Sequence, residues 1–265
     1  MLRTNLMHRI FLAAVLSIVS LSLSYGQQLR RDFLQEVSMG VNAGVNLTKV
    51  SFLHNMNDRL YELGNQSLRQ GIRFGFVTRY IHQNHFGVQL ELSYVQAGWT
   101  EKFHENSGVS MVNDIDMQDV ELGRRLEYWD IPVLAHIYFG KRRLRFFVDM
   151  GPEIRVMSKY GEVKWNIPEG DERRNAFQAG DNRFEEDHHN VDYGLTGGGG
   201  FDLKIGKMVH VLVECRYSYG FGDLYNNNKA DLYQRSNNQM LGVMGSVMVP
   251  VFKFKERKDN PEAEE

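Results

Sequence analysis

The chain has 265 residues with 31 basic and 33 acidic side chains, a balance that leaves no basic footprint for nucleic acid. Its one cysteine, Cys215, excludes an intrachain disulfide and a Cys-based zinc centre. Mean hydropathy is -0.41, and beyond the N-terminus no run reaches the roughly 18–20 apolar residues of a membrane-spanning helix, while 25 glycines, 12% aromatics and only 5 prolines favour long strands.

The first 26 residues read as a signal peptide. Arg3, His8 and Arg9 form a positive start, Ile10 to Leu23 an apolar stretch too short to span comfortably, and Ser24-Tyr25-Gly26 a small-residue cleavage site. Residues 27–37 are expected to form a periplasmic N-terminal segment, residues 38–254 a barrel, and residues 255–265 a polar periplasmic tail.

From Ser38 onward the recurring signal has period two, that of a strand whose faces meet different surroundings. In the first strand Met39, Val41, Ala43, Val45 and Leu47 alternate with Gly40, Asn42, Gly44 and Asn46. The second sets Ile72, Phe74, Phe76 and Tyr80 against Gly71, Arg73, Gly75 and Arg79, and the third sets Phe86, Val88, Leu90, Leu92 and Tyr94 against Gly87, Gln89, Glu91 and Ser93. A fourth strand falls over Leu126–Phe139, without a clear face. The fifth opposes Phe146, Val148, Met150, Ile154 and Val156 to Arg145, Asp149, Gly151, Glu153 and Arg155. In the sixth, Val191–Lys204, Val191, Tyr193, Leu195, Phe201 and Leu203 alternate with Asp192, Thr196, Asp202 and Lys204 across a run of glycines. The seventh is the clearest: Val209, Val211, Val213, Cys215, Tyr217 and Tyr219 face one way, and His210, Glu214, Arg216 and Ser218 the other. An eighth, Gln239–Phe254, is recognisable but not fully phased.

Connections alternate strictly between tight (82–85, 140–143, 205–208) and long and polar (48–70, 97–124, 157–190, 220–238). Short periplasmic turns and long extracellular loops are the pattern of an outer-membrane barrel. The predicted fold is therefore all-β: an eight-stranded antiparallel up-and-down transmembrane β-barrel with long extracellular loops, in the cell outer membrane. A closed barrel also pairs every backbone group within the bilayer. Tyr80, Tyr94, Trp99, Tyr138, Phe139, Tyr219 and Phe254 stand near strand ends, where an interfacial aromatic girdle is expected. The competing reading is a soluble lipocalin-like barrel with the apolar face inside. Against it stand Arg73, Arg79, Glu91, Arg145, Glu153, Glu214 and Arg216, mixed with glycine on the polar face, which suit a narrow interior better than a water-facing wall. An eight-stranded interior holds only its own side chains. Those seven residues are expected to pair in a lumen charge network, because isolated buried charges are costly. The result would be a plugged, non-conducting barrel.

Several segments resemble the PorT-like outer-membrane β-barrel family. They are GVNAGVNLTKVSF (Gly40–Phe52), GVQLELSYVQAGW (Gly87–Trp99), LEYWDIPVLAHIYFG (Leu126–Gly140), RFFVDMGPEIRVM (Arg145–Met157), VDYGLTGGGGFDL (Val191–Leu203) and VLVECRYSYGFGDLY (Val211–Tyr225). The resemblance implies an eight-stranded barrel and, from the founding member, participation in type IX protein secretion. Here the chain continues past Phe254, whereas the family stops at or near its terminal aromatic strand.

Catalytic and cofactor motifs are sparse, and neither an enzymatic activity nor a cofactor is expected. Gly197–Gly200 lacks the Lys-Ser/Thr and helix of a phosphate loop, and reads as wall glycine against bulky lumen side chains. His188-His189 beside Glu185, Glu186 and Asp187 has metal-ligand chemistry, but as a charged run in a long loop it reads as solvated. A lipid-acting enzyme would need a Ser-His pair on the outer wall, for which His136, His210, Ser93 and Ser218 are the available residues. The main expectation is a non-enzymatic barrel contacting outer-membrane lipid and other envelope or secretion proteins. Its contact surface would be the loops or the periplasmic rim; loop residues such as Trp165, Phe177 and Phe184 would form that surface or simply pack on the barrel mouth. The alternative is a stand-alone surface barrel of adhesin or membrane-stabilising type.

Overall fold

Alternating apolar and polar residues build eight long strands: β1 Gln35–His54, β2 Arg69–His82, β3 Phe86–Lys102, β4 Glu121–Phe139, β5 Leu144–Tyr160, β6 Val191–Ile205, β7 Val209–Gly220 and β8 Tyr233–Phe254. The computed structural model describes residues 35–54, 65–82, 86–103, 111–112, 115–116, 118–139, 144–161, 163–174, 188–206, 208–225 and 233–254. The signal peptide, the polar tail, Phe177, Phe184 and Glu185–Asp187 lie outside them.

Each strand pairs antiparallel with its neighbours in sequence. β8 returns to pair with β1 from Gln35↔Phe254 to His54↔Tyr233, so the sheet closes on itself. Closure removes the edges that would otherwise carry unpaired backbone groups. Between β6 and β7, Gly206 takes a left-handed conformation (φ 65°), which glycine adopts without steric cost.

The faces are inverted relative to a soluble protein. Phe76 is 70% exposed on the outer wall, whereas Arg73, three residues away, is 2% exposed inside. Phe74, Leu90, Val133, Met150, Leu195, Val213 and Val243 are likewise exposed, forming an apolar belt around the barrel. A belt this continuous is untenable in water. Between the long-loop end and the short-turn end it covers Met39–Leu47, Ile72–Tyr80, Phe86–Tyr94 and Trp129–Phe139 on the first four strands. These lengths match the roughly 9–11 residues of a tilted crossing. The soluble-barrel reading fails on this face assignment.

Several strands run beyond the sequence-based bounds. β1 reaches His54, β3 reaches Lys102, β4 begins at Glu121 and β8 at Tyr233, in stretches predicted as loop. Above the bilayer neither face has to be apolar, so the period-two signal fades while backbone pairing continues. At the other end Gln35–Val37 pair with Phe254–Phe252, so residues assigned to a periplasmic segment belong to the barrel. A bulge there, with Val37 opposite Phe252 and Ser38 opposite Pro250, shifts the alternation and hides the strand start.

Gly198 and Gly200 on β6 leave room for lumen side chains. A Cβ on Gly200 would meet the Val213 carbonyl oxygen at 2.0 Å and Phe147 Cζ at 2.9 Å, and one on Gly198 would meet Glu214 Oε1 at 3.0 Å. Gly200→Val is therefore expected to destabilise the barrel by roughly 1–3 kcal/mol through overpacking, measured by urea unfolding in lipid vesicles. An unchanged midpoint would show that the wall yields freely at this point.

Candidate functional site

All seven residues of the predicted network point into the barrel, and six of them are buried, with Arg145 half-buried. At the centre, Arg216 from β7 donates to both Glu91 oxygens, at 3.0 and 2.7 Å, and its Nε donates to Glu214 Oε1 at 2.7 Å. Glu91 also accepts from Asn42 Nδ2 at 3.1 Å and lies 3.8 Å from Arg73, whose Nη2 donates to Asp130 at 2.9 Å. Buried carboxylates held by guanidinium forks are the arrangement a narrow lumen requires. Towards the long-loop end Arg155 pairs with Glu153 at 2.5 Å and with Asp192 at 3.5 Å. Glu153 also accepts from Ser218 Oγ at 3.0 Å, and Asp192 accepts from Asn238 at 3.1 Å.

Towards the short-turn end Arg145 pairs with Asp202 at 2.6 Å, and His210 Nδ1 approaches the same carboxylate at 3.0 Å. Glu36 and Lys253 close this tier with an ion pair of 3.1 Å. Arg79 is held by neutral groups: its Nε donates to Gln89 at 2.6 Å and its Nη1 to the Tyr138 hydroxyl at 2.7 Å. The Arg145 guanidinium lies 4.0 Å from the centroid of the same Tyr138 ring, joining the two arginines through one aromatic.

Apolar clusters flank the central charged layer, the one on the short-turn side interleaved with Arg79 and the Arg145–Asp202 tier. Val77, Ile81, Tyr138, Phe147, Leu212 and Met248 fill the lumen above the short turns. Val50, Ala97, Trp99, Leu126, Tyr128 and Leu224 fill it below the long loops. Beyond them Phe103, Val120, Leu122 and Ile167 bring the β3–β4 and β5–β6 connections together, with Trp165 packed against them. The short strand Lys164–Trp165 adds to β4 at that level. In the same connection Asp171 accepts from the Arg173 backbone nitrogen at 3.0 Å and from its side chain at 2.9 and 2.6 Å. Those hydrogen bonds hold its carboxyl down to about 2.

Two expectations of the girdle are corrected. Trp99 is fully buried inside the mouth, its Nε1 donating to Glu101 Oε1 at 2.6 Å, and Tyr138 is buried in the lumen beside Arg79. Their nearness to strand ends was read without their phase: Trp99 shares the inward phase of Val95 and Ala97, and Tyr138 that of Leu134 and His136. Tyr80, Phe139 and Phe254 do lie on the outer wall.

The residues considered for lipid chemistry are all inside. His136 is fully buried against Asp149, and His210 is buried beside Asp202. Ser93 donates to Asn42 Oδ1 at 3.4 Å, and Ser218 to Glu153. None of the four reaches the lipid-facing wall, because each shares the inward phase of its strand. Of the His188-His189 cluster, His188 stacks on Tyr160 with ring centroids 6.2 Å apart, and the three acids lie outside the described residues. Among the described residues no group of three His, Cys, Asp or Glu side chains is set to hold a metal ion.

Sequence reasoning omitted Asp130, Asp149, Arg155, Asp192 and Asp202 from the network. Asp149 and Arg155 share the polar phase of Arg145 and Glu153, and Asp192 and Asp202 share that of Thr196, so the signal was present. Asp130 was concealed because the inward phase of β4 also carries Pro132 and Leu134.

A closed antiparallel ring with an apolar outer belt and a charged interior is an outer-membrane β-barrel, and the protein resides in the outer membrane. The chain belongs to the outer membrane protein beta-barrel domain family, whose model matches residues 25–226. No curated protein matches the chain. Among solved structures it is similar to the outer membrane protein OprG from Pseudomonas aeruginosa, at 10% identity over 84% of this chain and 98% of that one, with a TM-score of 0.45. It is also similar to the outer membrane protein W of E. coli, at 14% identity over 84% of this chain and 100% of that one, with a TM-score of 0.36. A third is Ail, the attachment invasion locus protein of Yersinia pestis, at 11% identity over 80% of this chain and 99% of that one, with a TM-score of 0.35.

Proposed function

We propose that the protein is a closed, non-enzymatic barrel that works through its extracellular mouth, where it holds other envelope proteins. The observation that carries this reading is the filled lumen. The Arg216–Glu91–Arg73–Asp130 chain crosses the interior, and apolar clusters stand above and below it. Such an interior leaves no room for a permeating solute, so function moves to the surfaces the barrel presents. The more elaborate surface is at the long-loop end, where strands extend past the apolar belt and Phe103, Leu122, Trp165 and Ile167 consolidate the connections. The resemblance to the PorT-like family makes a protein-secretion assembly the partner class to expect.

Chemical cross-linking of intact outer membranes, followed by purification of the barrel, tests the reading. A stoichiometric envelope protein that is lost on Trp165→Ala, with the barrel still folded, is the expected outcome. Recovery of the barrel alone at every cross-linker concentration would replace the reading with a stand-alone surface barrel.

A further inference from the structure

The outer wall carries an arginine pair directly above the apolar belt on the long-loop side. Arg69 opens β2 at a point where Ser67 lies opposite Thr100 but Arg73 lies opposite Val95. One extra residue is thus accommodated on the Arg69 side, an irregularity that re-aims side chains. The side chain of Arg69 lies across Gly98 and Gly123. A Cβ on Gly98 would meet Arg69 Cδ at 3.1 Å, and one on Gly123 would meet its Nη1 at 3.0 Å. Gly123 shares the outward phase of β4 with Arg125, Glu127 and Trp129, so the Arg69 guanidinium rests on the outside of the barrel.

Arg125 is its neighbour. Burial, and next the Arg125 charge, lower the proton affinity of Arg69. Arg125 itself is 35% exposed, hydrogen-bonds Tyr94 and pairs with Glu127. Glu127 thus serves Arg125, and among the described residues Arg69 has no acidic partner. Lys159 stands opposite Glu127 on the adjacent strand, adding a further exposed cation. Immediately below, Phe74, Tyr94 and Trp129 form an aromatic group on the wall, with centroids 5.2 and 6.0 Å apart. Aromatics of this kind mark the interface between hydrocarbon and headgroups.

We infer that Arg69 and Arg125 form a site on the outer wall for the phosphate of an outer-leaflet lipid, whose acyl chains descend over Phe74, Tyr94 and Trp129. The chemistry favours phosphate. Each guanidinium offers a planar fork that matches phosphate oxygens two at a time. An anion between the two arginines also removes the like-charge repulsion that their proximity creates. Glycine at 98 and 123 is what allows Arg69 to lie flat against the wall, where it faces a headgroup and not bulk water.

The test uses the full chain folded in detergent micelles and native mass spectrometry. The probes are lipid A carrying both phosphates, the same lipid with both phosphates removed, and inorganic phosphate. Retention of the phosphorylated lipid about tenfold stronger than that of the dephosphorylated one is expected. Arg69→Gln combined with Arg125→Gln should abolish that preference, while Arg235→Gln, an exposed cation on β8, should leave it intact. Should the double glutamine variant fail to fold, Arg69→Lys with Arg125→Lys keeps both charges but loses the forks, and must show a reduced preference. Equal retention of the two lipids, an equal loss with Arg235→Gln, or an undiminished preference in the lysine variant would overturn the site. Complete displacement of the lipid by equimolar inorganic phosphate would identify a free-anion site and overturn the lipid assignment.

Discussion

Arg216→Met is expected to destabilise the barrel by about 3–5 kcal/mol, a larger effect than any other single substitution in the lumen. Arg216 is 2% exposed and engages two buried carboxylates, Glu91 at 2.7 Å and Glu214 at 2.7 Å. Removing it leaves Glu214 without its guanidinium and Glu91 dependent on Arg73 at 3.8 Å and on amide donors. The cost arises from stranding charge in a desolvated interior, not from losing a favourable contact as such. The double variant Arg216→Met with Glu214→Gln should therefore be more stable than Arg216→Met alone. Equilibrium urea unfolding in lipid vesicles gives both values, and the coupling between the two sites follows from the cycle. A loss below about 1 kcal/mol for Arg216→Met would mean that the carboxylates find water, and that the lumen is wetter than its packing implies.

The second large effect concerns the outer wall. Leu90→Arg, near the middle of the apolar belt on β3, should cost about 2–4 kcal/mol, because the guanidinium would stand in hydrocarbon at mid-depth. Leu68→Arg, also on an exposed leucine but beyond the belt, should cost about 0–1 kcal/mol. Both leucines have similar exposure, 50% and 56%, so only depth in the bilayer separates the two outcomes. Equal costs at the two positions, measured in the same vesicles, would contradict the placement of the belt.

Where the two faces meet sharply different surroundings, the sequence is easily read. β7 alternates Val211, Val213 and Tyr217 against Leu212, Glu214 and Arg216, and only Leu212 departs from a polar inner face. Leu212 belongs to the apolar cluster that flanks the central charged layer on the short-turn side, as do Val77, Phe147 and Met248. An inner face that changes from apolar to charged and back along one strand blurs the alternation, which explains the poorly phased β4 and β8. On β4 the inward series Tyr128, Asp130, Pro132, Leu134, His136, Tyr138 is as apolar as the outward one in part. Aromatic position near a strand end does not identify the girdle either, since Trp99 and Tyr138 are drawn inside by Glu101 and Arg79. The partners of the charges were less legible than their face. Arg73 meets Asp130 and Arg216 meets Glu91 across the lumen, at sequence separations of 57 and 125 residues. Barrel curvature and side-chain reach decide those pairings, and neither is written in a local pattern.

The arginine pair on the outer wall was hidden for a related reason. Arg69 falls in the stretch 48–70 read as loop, and Arg125 lies between the predicted loop 97–124 and the predicted strand from Leu126, where β4 extends above the belt. Their proximity depends on the irregular pairing around Gly98, whose backbone has a φ of 130° suited to glycine. The pairing of β3 with both β2 and β4 brings the start of β2 close to the start of β4.

Conductance of the purified, folded protein in planar lipid bilayers tests the filled lumen most directly. The interlocked charges and the apolar clusters on both sides of the central layer predict no stable single-channel current across the accessible voltage range. Large, steady currents in the wild-type protein would mean an open water path through the barrel, and would contradict the account.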